Sequence, residues 1–138
     1  MSPKHFLNYQ GLSKEFIISI IDRGLELKSL DQLPKSLENK SLGLIFEKPS
    51  TRTRVSFEIG IQKLGGNSIF LSSSDLQMSR GEPISDTAKV LSSMLDAVVI
   101  RTTNHELLEI FSKNSSIPVI NGLSLSLIHI SEPTRREY

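Results

Sequence analysis

The sequence predicts an α/β domain in which a parallel sheet of about four strands carries helices on both faces. Two observations lead there. Short apolar runs at 42–46, 68–71, 97–100 and 117–120 read as strands buried on both sides of a parallel sheet. Between them lie longer stretches with helical spacing, so each strand is followed by a segment long enough to cross back over the sheet.

The elements can be justified in order. Ser13 is a good helix N-cap, Leu12 before it can staple onto Ile17, and Phe16, Ile17, Ile20, Ile21, Gly24 and Leu25 then share one face of a first helix. Residues 29–41, with Pro34 and Asn39, have no sustained period and form a loop. After the first strand, residues 53–64 pair Val55 with Ile59 and set Phe57, Ile61 and Leu64 on one side, stopping at Gly65-Gly66. Ser85 can cap the next helix, with Val90, Leu91, Met94 and Leu95 as its buried stripe. Asn104 can cap another, with Leu107, Leu108 and Phe111 facing the core.

Composition narrows the function classes. The 138 residues are 38% hydrophobic, enough for one domain with a real core but short of what a two-substrate site between domains usually needs. Sixteen Lys and Arg against 15 Asp and Glu leave no basic footprint for nucleic acid and no polybasic membrane anchor, so any anion must be held locally. The absence of cysteine excludes disulfides, thiolate zinc sites and a catalytic thiol, and suits a cytoplasmic protein. Three scattered histidines offer no metal-ligand spacing; His5 and His105 read as surface residues. No window approaches the ~20 apolar residues of a membrane span.

In a parallel sheet, ligands bind at the carboxyl ends of the strands. After the first strand comes Glu47-Lys48-Pro49-Ser50-Thr51-Arg52-Thr53-Arg54, running directly into a helix. Helix N-terminal amides, three hydroxyls and two guanidiniums at one point suit a phosphate. It is not a Walker loop, which needs glycines and a GK[ST] ending. A Ser/Thr cap with solvated arginines is the plain alternative, yet arginines at a helix start oppose the dipole and need an anion nearby. Lys48 and Glu47 can pair with one another, and Arg54 reads as a support for the loop. Arg101 stands at the carboxyl end of the third strand, where it can converge on the same point.

The stretch F-E-K-P-S-T-R-T-R-V-S-F-E resembles the carbamoyl-phosphate signature of the aspartate/ornithine carbamoyltransferase family. The resemblance continues through Gly65-Gly66-Asn67, Gln77, Arg80 to Ala88, Asp96 to Arg101 and Ile117 to Leu123, so that residues 1–123 resemble the amino-terminal domain of such an enzyme. The loop R-G-E-P-I-S-D-T-A and the ending V-I-N-G-L are closer to the ornithine members than to the aspartate members. The resemblance implies that Ser50, Thr51, Arg52 and Thr53 bind the phosphate of carbamoyl phosphate. Thr53 and Arg101 would also approach its carbonyl oxygen, and Arg52, Thr53 and Arg101 would carry catalysis. It further implies that Gln77 contacts carbamoyl phosphate across a subunit interface in a homotrimer, and that no metal or organic cofactor takes part. Asp86 and Thr87 open a helix and read as its cap.

After Asn121-Gly122-Leu123 the family pattern calls for His-Pro-x-Gln. Residues 124–138 instead resemble translated sequencing-adapter read-through, and His129 does not fit the motif spacing. These 15 residues are expected to be non-native, and the second domain, with its site for L-ornithine, is expected to be missing. A non-catalytic phosphate-binding module is the rival reading from another class.

Overall fold

The computed structural model describes residues 5–8, 11–47, 50–72 and 83–122. The segment 124–138 and the loop carrying Gln77 lie outside the described residues, as do Lys48 and Pro49. In chain order the elements are α1 (Lys14–Ser29), β1 (Ser41–Phe46), α2 (Thr51–Lys63), β2 (Asn67–Ser72), α3 (Ile84–Ser92), β3 (Ala97–Arg101), α4 (His105–Asn114) and β4 (Val119–Asn121). The four strands form one sheet in the order β2-β1-β3-β4, every pairing parallel.

Alternation along the central strands divides the core into two halves. Leu42, Leu44 and Phe46 of β1 and Val99 of β3 pack with Ile61 of α2. Ile45 of β1 and Val98 and Ile100 of β3 pack instead with Ala88 and Leu91 of α3 and with Leu107, Leu108 and Phe111 of α4. Helices therefore cover both faces. Each fully buried side chain of this kind contributes about 1.5–3 kcal/mol, which is why the central strands tolerate almost no polar residue. Gly43 fits the same scheme, since a Cβ there would lie 2.6 Å from Leu95 Cδ1.

Handedness then decides the layout. The connection β1-α2-β2 and the connection β3-α4-β4 run in opposite directions across the sheet, and right-handed crossovers put their helices on opposite faces. The strand order consequently reverses between β1 and β3.

Several local expectations are corrected. Pro83, not Ser85, occupies the N-cap position of α3, so Ser85 falls inside the first turn with Asp86 and Thr87. Val90 and Met94 are 54% and 64% exposed, because the face that meets the sheet is Thr87, Ala88 and Leu91. Ser13 does cap α1, its hydroxyl accepting from the Phe16 amide at 3.1 Å. The apolar face of α1 is nevertheless left uncovered, with Ile21 and Leu25 56% and 63% exposed. Asn104 caps α4 as expected, its Oδ1 accepting from the Leu107 amide at 3.2 Å.

His5 is half-buried rather than a free surface residue. The neighbouring Phe6 forms a parallel bridge with Ile120, extending the sheet beyond β4. His5 Nδ1 accepts the Val119 amide at 2.9 Å. Burial lowers its pKa below the ordinary 6.5, partly opposed by a hydrogen bond to the Ser112 backbone.

Two measurements check this packing. Gly65 turns the chain out of α2 at φ +94, and a Cβ on the adjacent Gly66 would come within 2.9 Å of the Leu37 and Lys40 carbonyls. Gly66→Ala should thus destabilise the domain by about 1–3 kcal/mol in chemical denaturation. Gly24→Ala, with nothing within 4 Å of the new methyl, should stabilise it by roughly 0.5–1 kcal/mol. Because the fold favours neutral His5, its contribution is fully present above pH 6.5 and is lost as pH falls below that value toward the depressed folded pKa. A urea midpoint that declines on acidification through this window, and declines less in His5→Gln, is the expected result.

Candidate functional site

The reversal between β1 and β3 opens a crevice at their carboxyl ends, the usual ligand position in an open parallel sheet. Pairing places Phe46 opposite Arg101, so the segment leaving β1 and the last residue of β3 begin side by side. The Arg101 guanidinium reaches across and donates from Nη1 to Ser50 Oγ at 3.0 Å and to Thr53 Oγ1 at 3.1 Å. Residues 48 apart or more in sequence are thereby brought to one point.

Ser50 occupies the N-cap position of α2 but makes no side-chain cap bond, its hydroxyl being used by Arg101 instead. Helix geometry leaves the Thr51, Arg52 and Thr53 amides without an intrahelical carbonyl, whereas the Arg54 amide already bonds the Ser50 carbonyl at 2.9 Å. The first turn carries no acidic residue. Three amide donors, the dipole of a 13-residue helix and nearby guanidiniums make the turn a place for a doubly charged oxyanion.

The two arginines of α2 have different surroundings. Arg54 donates from Nε to Glu58 Oε1 at 2.8 Å, and its guanidinium lies 3.8 Å from the centre of the Phe70 ring. Phe70 in turn meets Phe46 edge-on at 5.8 Å. Arg54 is thus a bracket between α2 and β2. Arg52 is exposed and, among the described residues, its side chain makes no hydrogen bond or ion pair. Thr51 is exposed beside it. Of the six expected site residues, Ser50, Thr53 and Arg101 are in direct contact, Thr51 and Arg52 share their helical turn, and Gln77 lies outside the described residues.

The contact of Glu47 with Thr102 and Thr103 is a feature that sequence reasoning missed. Glu47 Oε2 accepts from Thr102 Oγ1 at 3.0 Å, from the Thr103 amide at 2.6 Å and from Thr103 Oγ1 at 2.8 Å. The expected pairing of Glu47 with Lys48 falls on a residue outside the described ones. A signal was present in the polar run Thr102-Thr103-Asn104 directly after an apolar strand, but nothing in spacing connects it to Glu47.

A cavity of about 560 Å³ lies elsewhere. It lies at the amino ends of β1 and β3 beside α2, lined largely by apolar side chains such as Leu42, Phe57 and Ile61. Its chemistry suits core packing rather than an anion. Among the described residues, no group of three or more His, Cys, Asp or Glu is arranged to hold a metal ion, and no helix is long and apolar enough to cross a membrane.

Comparison with known proteins matches residues 4–131 to the family model described as aspartate/ornithine carbamoyltransferase, carbamoyl-P binding domain. The chain is 54% identical over 127 residues to ornithine carbamoyltransferase 1, anabolic, of Pseudomonas savastanoi pv. phaseolicola, covering 90% of this chain and 42% of that protein. It is 50% identical over 124 residues to the ornithine carbamoyltransferase of Methylococcus capsulatus, with the same two coverages of 90% and 42%. The crystal structure of the anabolic ornithine carbamoyltransferase from Campylobacter jejuni superposes with a TM-score of 0.81 at 51% identity, covering 88% of this chain and 39% of that one. The chain therefore spans about 42% of the length of these curated relatives.

The two arginines should separate experimentally. Arg54→Ala, which loses the ring contact and the ion pair, is expected to cost about 1 kcal/mol of stability in chemical denaturation while leaving affinity for inorganic phosphate within about twofold. Arg52→Ala is expected to do the reverse.

Proposed function

This chain belongs to the aspartate/ornithine carbamoyltransferase family as its carbamoyl-phosphate-binding domain, and on that premise we propose that Ser50, Thr51, Arg52, Thr53 and Arg101 bind carbamoyl phosphate. The observation that carries the proposal is the convergence of the Arg101 guanidinium with Ser50 and Thr53 at an uncapped helix start. Amides and hydroxyls of the turn donate to the phosphate oxygens, and Arg52 contributes a positive charge that the fold does not otherwise use. Thr53 and Arg101 stand at the edge of that turn and reach the carbonyl oxygen. By the family resemblance, the full-length protein is a homotrimer in which Gln77 adds a contact from a neighbouring subunit.

We propose further that the full-length protein is an ornithine carbamoyltransferase of the cytoplasm, serving arginine biosynthesis. Support comes from the ornithine enzymes, two of them named anabolic, that share half or more of their aligned residues with this chain. In the reaction, the ornithine side-chain amine attacks the carbamoyl carbon and forms a new N–C bond. The amine loses a proton and the carbon–oxygen bond to phosphate breaks, giving citrulline and phosphate. Charge rises first on the carbonyl oxygen and then on the departing phosphate, and fixed donors such as Arg101 and Arg52 stabilise both without reorganising. Residues 1–123 supply the carbamoyl-phosphate half of this machinery. The amine half belongs to a second domain, so the 138-residue chain alone binds the donor and forms no citrulline.

Titration of carbamoyl phosphate into the chain tests the first part. Binding that weakens at least tenfold in Arg52→Ala is expected; equal affinity of the two proteins refutes the assignment. In the full-length enzyme, Arg52→Ala should lower kcat by about 10²-fold, equivalent to roughly 3 kcal/mol of barrier. Supplying the full-length enzyme with ornithine or aspartate decides the acceptor, and turnover with aspartate alone would make it the aspartate enzyme.

A further inference from the structure

We infer that Glu47 is a positioning residue: its carboxylate sets Arg101 against the Ser50–Thr53 turn, and so strengthens the binding of an anion although it is itself negative. The inference rests on the phosphate-binding reading above and names a residue that reading does not use.

The last backbone hydrogen bond of the β1–β3 seam at this end runs from the Glu47 amide to the Arg101 carbonyl, at 3.0 Å. Beyond it the chains diverge, β1 toward α2 and β3 toward α4. The Glu47 side chain carries the connection onward, one carboxylate oxygen accepting from Thr102 Oγ1, the Thr103 amide and Thr103 Oγ1 within 3.0 Å. Hydrogen bonds to an ionised oxygen are the stronger kind. Thr102 is 5% exposed, and its Oγ1 also accepts the Asn104 amide at 3.0 Å, which ties the clamp to the cap of α4. Arg101 is therefore held by Glu47 at its own carbonyl and at the two residues after it. Only the guanidinium end remains to be placed, and Ser50 and Thr53 receive it.

A carboxylate beside a phosphate turn should by Coulomb repulsion weaken anion binding. Three donors on one oxygen of Glu47 offset much of that charge. Removing the charge therefore distinguishes repulsion from positioning by sign.

The experiment uses the 138-residue chain with carbamoyl phosphate and inorganic phosphate as probes, measured calorimetrically in wild type, Glu47→Gln, Glu47→Asp, Arg101→Gln and the Glu47→Gln/Arg101→Gln double variant. Glu47→Gln is expected to bind at least tenfold more weakly, with Glu47→Asp recovering part of the loss. The double variant should bind within about twofold of Arg101→Gln alone, since a residue acting through Arg101 has nothing left to act on. Unchanged or tighter binding by Glu47→Gln, or fully additive losses, overturns the inference while leaving the phosphate site intact. Failure of the wild type to bind either probe overturns the phosphate reading itself. The clamp has its own readout in the Thr103 amide, whose NMR resonance should titrate with the Glu47 carboxylate and lose its exchange protection in Glu47→Gln; an amide indifferent to both would also overturn it. Should Glu47→Gln fail to fold, Thr103→Ala removes one donor without touching the charge and should weaken binding in the same direction, and no change there overturns the inference.

Discussion

The parallel pairing of β1 with β3 is the constraint on which the rest of the molecule depends. It sets Phe46 against Arg101 and so delivers a guanidinium from one half of the chain to a helix start from the other. Right-handed crossovers make this seam the place where strand order reverses, and a reversal leaves a crevice at the carboxyl ends of the strands. The site is a consequence of connection handedness as much as of its own residues.

The seam is secured at both ends by a carboxylate. At the amino end, Asp96 Oδ2 accepts the Ser41 amide at 2.8 Å, and the Asp96 amide returns a bond to the Ser41 carbonyl at 2.9 Å. At the carboxyl end Glu47 holds Thr102 and Thr103. Between these ends the pairing is buried on both faces, where Leu44, Val98, Val99 and Ile100 are fully enclosed. A slip of one residue would reverse every one of these side chains between the two core halves. Register is thus enforced by packing in the middle and by charge-assisted hydrogen bonds at the edges, and the position of Arg101 inherits that precision.

Much of the fold was legible because parallel strands buried on both faces leave continuous apolar runs, as at 42–46 and 97–100. Caps were legible where a side chain bonds its own helix, as at Ser13 and Asn104. Ser50 shows the opposite case. It has a capping residue's identity, but its hydroxyl serves Arg101, and only the neighbouring strand explains why. Periodicity alone also misjudged Val90 and Met94, since apolar residues at helical spacing mark a stripe without saying how much of it the sheet can cover. His5 was misjudged because its partner, the Val119 amide, is 114 residues away.

The sequence by itself determined the alternation of strands and helices, the run of hydroxyls and guanidiniums at 50–54 and membership of a carbamoyltransferase family, because each is written in contiguous residues. Tertiary structure decided which of two neighbouring arginines packs against the scaffold and which stays exposed. Arg52 and Arg54 are alike in sequence, and the placement of Glu58 and Phe70 assigns Arg54 to the scaffold. It also decided that Glu47 clamps the two residues that follow Arg101. That follows from three donors supplied by residues 55 and 56 positions away, a distance across which spacing carries no information and a parallel sheet brings side chains into contact.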